Sequence, residues 1–201
     1  MQQKLTYFFT ILTVIVSWNG HAQSLADTLQ RNKVRLTVEP NGHLFHNLLN
    51  NTPAYEVPAD SGNHLISMAS AWFMGKNEND QIKASINYEI YYPYTAHFNG
   101  PYSATDSYLS ADYLTKYKNN QWRCTKEEVI FHIDNHTHPN YTIPDNIANW
   151  PGNGDTTLGV AFQLAPFVDI NDNGVYEPEL GEYPCFKGDE AIYTILNDNT
   201  R

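Results

Sequence analysis

The sequence predicts a mainly β fold with a few short helices, a β-rich α+β arrangement of antiparallel hairpins. Three observations carry this. Runs of alternating or aromatic-rich apolar residues are short and separated by Asn, Gly, Pro and Asp. Tyr and Asn are abundant while charged residues make up only 17% of the chain, a balance unlike that of a helical bundle. Helix-start signals cluster in one central stretch.

In chain order, Lys4 precedes an apolar run from Leu5 to Trp18, and Gly20-His21-Ala22 places small residues where a signal peptidase cuts. The run is too short for a membrane span, so residues 1–22 read as a secretory signal peptide cleaved after Ala22. Residues 23–201 are then a single extracellular domain, secreted or at the cell surface, with no transmembrane segment. The formal charge of −10 argues against nucleic acid and anionic membranes as partners and suits a cation-binding surface. No protein or glycan partner can be named.

Val34, Leu36 and Val38 alternate with polar residues as a half-buried strand, and Asn41-Gly42 predicts a hairpin turn with both central residues at positive φ. Residues 47–63 read as a loop. Leu65–Met74 and Ile82–Tyr92 form a second hairpin about the polar turn at 75–80, and Pro93–Asp112 reads as loop. Tyr108–Tyr117 holds a short helix or an irregular segment. Thr125-Lys-Glu-Glu128 is a capping box, in which hydroxyl and carboxylate each meet an otherwise unpaired amide. Val129, Ile130 and Ile133 give the following helix an apolar face, and Pro139 stops it. A further short helix runs from Thr142-Ile-Pro144 to Trp150, and Ala191–Leu196 is a last strand. The turn-like Asn197-Asp198-Asn199 after that strand reads as the approach to another one, so the domain is expected to be incomplete and the chain the front part of something longer.

The most specific chemistry lies at residues 169–182. Asp169, Asn171 and Asn173 place oxygen donors at alternate positions, Gly174 permits a sharp reversal, and the Val175 carbonyl follows. That is the order in which an EF-hand loop wraps calcium. The bidentate acid of an EF-hand is missing, since Leu180 occupies that position, and the role passes to Glu177, Glu179 or Glu182. Pro178 disfavours an exit helix. The metal expected is calcium, in a structural role, and the plain alternative is an Asn/Asp turn bonded to its own backbone.

Other constellations are weaker. His132 and His136 have the i, i+4 spacing of zinc peptidases and His138 lies nearby, but Ile133 stands where the general-base Glu belongs. A packed histidine explains His132. Asp60-Ser61-Gly62 lacks the apolar strand of an aspartic-protease loop. No Gly-x-Ser-x-Gly elbow or phosphate-cradling glycine loop is present. Two carboxylates for glycoside hydrolysis could be drawn from Glu177, Glu179, Glu182 and Asp189, where acids are too plentiful to discriminate. Trp72, Trp122 and Trp150 read as core residues rather than as a sugar-stacking surface. Cys124 and Cys185, in an oxidising compartment, are expected to form one disulfide.

The order of motifs is itself familiar. Ser24-Leu-Ala-Asp-Thr28, Val34–Phe45, Glu56-Val-Pro58, Ile66–Gly75, Trp122–His132 and Tyr141–Pro151 recur together. So do Leu164-Ala-Pro-Phe-Val-Asp169 through Gly181-Glu-Tyr-Pro184, and Lys187-Gly-Asp189. The chain resembles the N-terminal region of large secreted Bacteroidetes proteins, which commonly end in a type IX secretion sorting domain. The resemblance implies an exported protein and brings no catalytic residues. The function expected is therefore a secreted or cell-surface non-enzymatic module with a structural calcium loop. A part of a secreted hydrolase and a carbohydrate-binding or adhesion module are the alternatives.

Overall fold

The computed structural model describes residues 26–86 and 97–198. The expected signal peptide and its cleavage site lie outside the described residues, as do the continuation of the second hairpin past Ile86 and the turn residue Asn199. Within the described residues the chain forms several small antiparallel sheets with three short helices, the β-rich α+β fold expected. No described helix is long and apolar enough to cross a membrane.

The largest sheet has five strands: Asp27–Leu29, Arg35–Val38, His43–Leu44, Tyr55–Glu56 and Ala69–Ser70. The hairpin of Arg35–Val38 with His43–Leu44 turns at Pro40-Asn41-Gly42, closed by Gly42 N donating to Glu39 O at 3.1 Å and Glu39 N to His43 O at 2.9 Å. Only Gly42 has positive φ, at 85°, so the expected two-residue turn is a three-residue one. Pro40 confines its own φ to negative values, and the left-handed glycine then completes the reversal. The stretch expected to be loop, 47–63, holds two brief pairings: Thr52–Pro53 with His46–Asn47, and Tyr55–Glu56 with Arg35–Leu36. Two-residue strands are too short for alternation to reveal.

The second hairpin pairs Trp72–Lys76 with Ile82–Ile86, Trp72 opposite Ile86 and Lys76 opposite Ile82. Asn77 organises its turn, accepting from Asn79 N at 3.1 Å and Gln81 N at 2.9 Å through its side-chain oxygen. Trp72, expected in the core, is 58% exposed, and every residue of its strand Trp72–Lys76 is exposed.

The densest packing lies in the second half. Strand Trp122–Thr125 pairs with Glu190–Tyr193, and the chain passes directly from it into helix Lys126–Asn135. The capping box forms as read: Glu128 N donates to Thr125 Oγ1 at 3.2 Å, and Thr125 N donates to Glu128 Oε2 at 2.8 Å. Helix Asp145–Ala148 follows, shorter than the expected segment. Cys124, Val129, Ile147, Trp150, Ala165 and Tyr176 form one core cluster, with Trp122 packed partly against it. A second cluster holds Tyr108, Tyr113, Tyr117, Leu158 and Val160 beside helix Ala111–Lys116, within the stretch 108–117 that reads as either a short helix or irregular.

The expected Cys124–Cys185 bridge is absent from this structure. Cys124, on the two-stranded pairing of Trp122–Thr125 with Glu190–Tyr193, is fully buried, while Cys185, just past strand Tyr183–Pro184, faces solvent as a free thiol. Burial pushes the Cys124 thiol up to about 12, so it behaves as a packed apolar side chain.

Candidate metal centre

Two strands frame the acidic loop. Phe167–Val168 pairs antiparallel with Tyr183–Pro184, and Cys185 N donates to Pro166 O at 3.0 Å. Residues 169–182 are the connection of this small hairpin, so an EF-like sequence sits between strands rather than between helices. Instead of an exit helix, Pro178–Leu180 forms a single 3₁₀ turn.

The loop folds around Asp169. Its two carboxyl oxygens accept from Asn173 N at 3.2 Å and Gly174 N at 2.6 Å. Gly174 takes φ 77°, the reversal foreseen for it. Asn171 Oδ1 accepts from Asn173 N at 3.1 Å, and Asn173 Oδ1 from Val175 N at 2.7 Å. These are the backbone-directed bonds of an Asx-rich turn. The other ends of both amides converge: Asn171 Nδ2 donates to Glu177 Oε2 at 3.1 Å, and Asn173 Nδ2 to the same oxygen at 2.6 Å.

Glu182 closes the loop from the far side. It is fully buried, and its carboxyl oxygens accept from Ile170 N at 3.1 Å and Glu177 N at 2.7 Å. Burial opposes ionisation of the neighbouring Asp169. Hydrogen bonds from the amides of Gly174, Asn173 and Asp172, and one shared with the Glu182 side chain, outweigh it and hold the Asp169 carboxyl below the usual carboxylate range. Two acids therefore meet inside the loop, one of them without solvent contact. Among the described residues neither forms an ion pair with a lysine or arginine.

Of the three acids that could replace the missing EF ligand, Glu177 and Glu182 face the loop interior, whereas Glu179 is exposed on the 3₁₀ turn. Among the described residues no three His, Cys, Asp or Glu side chains gather around one point. The loop's donors are the three inward carboxyls of Asp169, Glu177 and Glu182, two amides and backbone carbonyls. An all-oxygen set of that kind fits a hard cation such as calcium.

The contacts that hold the loop in place were not foreseen. Tyr176 is the loop's one aromatic residue and is buried, its ring 5.2 Å from Phe167 and its hydroxyl donating to Ile147 O at 2.7 Å. Asn153 clamps the backbone of Tyr176, accepting from its N at 2.8 Å and donating to its O at 2.8 Å. Gln163 Nε2 donates to Gly174 O at 2.9 Å. A lone aromatic inside a polar loop was the available signal for Tyr176. Asn153 and Gln163 carried none.

The histidines do not gather as a zinc site. His132 is fully buried, its Nε2 donating to Glu182 O at 3.1 Å and its Nδ1 2.8 Å from the Tyr141 hydroxyl. His136 turns Nδ1 back to Ile133 O at 3.0 Å, and the turn residue His138 is exposed. Asp60 lies on an exposed turn and pairs with Arg35 at 3.2 Å. A shallow depression of about 390 Å³ lies elsewhere, lined by Lys116, Tyr117, Asn153, Gly154, Asp155, Thr156 and Phe162.

Comparison of the chain with protein-family models, with curated proteins and with solved structures gave no match.

Proposed function

We propose that this chain is an exported, non-enzymatic extracellular module whose 169–182 loop binds calcium in a structural role. The observation that carries the reading is the buried Glu182 carboxyl beside that of Asp169, with no cationic side chain paired to either among the described residues. Two adjacent carboxyls in such a place must either share a proton or be accompanied by a positive charge. A bound divalent cation supplies that charge.

The ion would be held by Asp169, Asn171, Asn173, the Val175 carbonyl, Glu177 and Glu182, with Glu179 left in solvent. The Asn171 and Asn173 amide oxygens, which accept from the backbone N of Asn173 and Val175, each keep a second lone pair to offer an ion. Binding would tie the hairpin 167–184 to the core through Tyr176, which is a stabilising role. Export rests on the signal-type N-terminus and on the resemblance to secreted Bacteroidetes proteins.

Calorimetric titration of chelator-treated protein tests the reading directly. One calcium per chain is expected, with weaker binding of magnesium, and Glu182→Gln or Asp169→Asn should abolish the calcium heat. Absence of calcium binding to the folded wild-type protein would sink it.

A further inference from the structure

The second hairpin offers an interaction surface independent of the acidic loop. Strand Trp72–Lys76 pairs with Ile82–Ile86 on one side, and its other edge has no neighbour among the described residues. Trp72 is 58% exposed, Phe73 54%, Met74 72% and, across the hairpin, Ile82 74%. No proline or bulge interrupts the edge, and Trp72-Phe73-Met74 carries no charge. An unpaired apolar edge of this kind is a template for another strand.

The two edges differ. Ser85, on the partner strand, is tied to His97 by an Oγ–Nδ1 contact of 2.8 Å, and the His97 ring packs edge-on against Phe73 at 5.3 Å. Contacts at Ser85 and Phe73 thus tie one end of one hairpin face to His97, although Phe73 itself stays half exposed. Trp72, Met74 and Lys76 alternate onto the outward face.

We propose that the open edge of Trp72–Lys76 pairs with the same edge of a second copy, antiparallel about a two-fold axis at Met74. The edge is self-complementary in that register. Trp72 falls opposite the second copy's Lys76, an ammonium against the face of an indole. Phe73 falls opposite Gly75, where a ring covers a bare glycine backbone. Met74 meets its own counterpart on the axis. Among the described residues Lys76 is paired with Asp80, in an exposed contact of 2.8 Å that stabilises little. One edge pairing with itself closes after two copies and does not propagate. Five residues a side bury less than a standard interface, so association is weak and rises with concentration.

Sedimentation of the purified protein across a concentration series tests this. A monomer–dimer equilibrium is expected. Met74→Lys sets like charges on the axis and weakens it about fivefold or more, and Met74 is exposed enough for the monomer to tolerate the change. Phe131→Lys, on the exposed face of helix Lys126–Asn135, should leave the equilibrium unaltered. In a Cys185→Ser background, Met74→Cys should cross-link to a covalent dimer on mild oxidation, because axis positions approach within disulfide range. A monomer at every concentration, loss of the dimer in Phe131→Lys but not in Met74→Lys, or failure of Met74→Cys to cross-link would each overturn the proposal.

Discussion

His132 Nε2 donates to the backbone carbonyl of Glu182 at 3.1 Å, joining the central helix to the residue that closes the acidic loop. The carbonyl accepts at Nε2, so the tautomer places the proton there and leaves Nδ1 to accept from the Tyr141 hydroxyl. The i, i+4 histidine spacing that suggests a metal instead serves a tertiary hydrogen bond. His132→Ala removes a fully buried side chain and strands the Glu182 carbonyl. A loss of about 2–4 kcal/mol is expected in urea denaturation. A change within 0.5 kcal/mol would show that the bond does not support the fold.

Tyr176 anchors the loop to the core. Tyr176→Phe keeps the ring against Phe167 but leaves the Ile147 carbonyl without its donor, at a cost of about 1–2 kcal/mol by denaturant midpoint. Asn153→Ala, which frees both backbone groups of Tyr176, should cost at least as much. Equal stability of both variants and wild type would mean that the loop holds itself.

The cysteines make a counting prediction. With Cys124 buried, its thiol pushed up to about 12 by burial first and by the nearby Glu128 second, a thiol reagent at pH 8 should modify one cysteine in the folded protein. It should modify two in denaturant. Zero before reduction and two after it would instead reveal the disulfide suggested by the compartment.

Lys116 and Asp155 give a pH dependence. The Lys116 ammonium, helped by Thr157, holds the Asp155 carboxyl at about 2. A depressed acid contributes stability above its unfolded pKa, and that contribution fades as pH falls toward the folded value. Wild type should therefore lose stability between pH 4 and pH 2 more steeply than Lys116→Met, whose Asp155 returns toward the ordinary range. Parallel pH profiles of the two melting curves would remove the pair from the account.

Local chemistry was legible in the sequence and tertiary placement was not. The capping box of Thr125 and Glu128 acts over three residues, so its letters suffice. The Asn77 turn and the left-handed Gly42 are local in the same sense. Asp169, Asn171, Asn173 and Gly174 turn the loop as their order implies, because each bonds backbone a few residues on. Glu182 meets Asp169 only because two-residue strands at 167–168 and 183–184 close a hairpin, and strands that short leave no periodic trace. Trp72 was read inward from its hydrophobicity. Its exposure depends on what lies over the hairpin, which composition does not encode.

Calcium in the loop is the central claim, and thermal melting of the folded protein tests it most directly. With calcium in excess the melting temperature should rise above that in chelator, since an ion bound to the native state alone adds stability by mass action. Asp169→Ala should melt at the same temperature in both. Coincident wild-type transitions with calcium and with chelator would contradict the account and leave residues 169–182 as a turn that bonds only to itself.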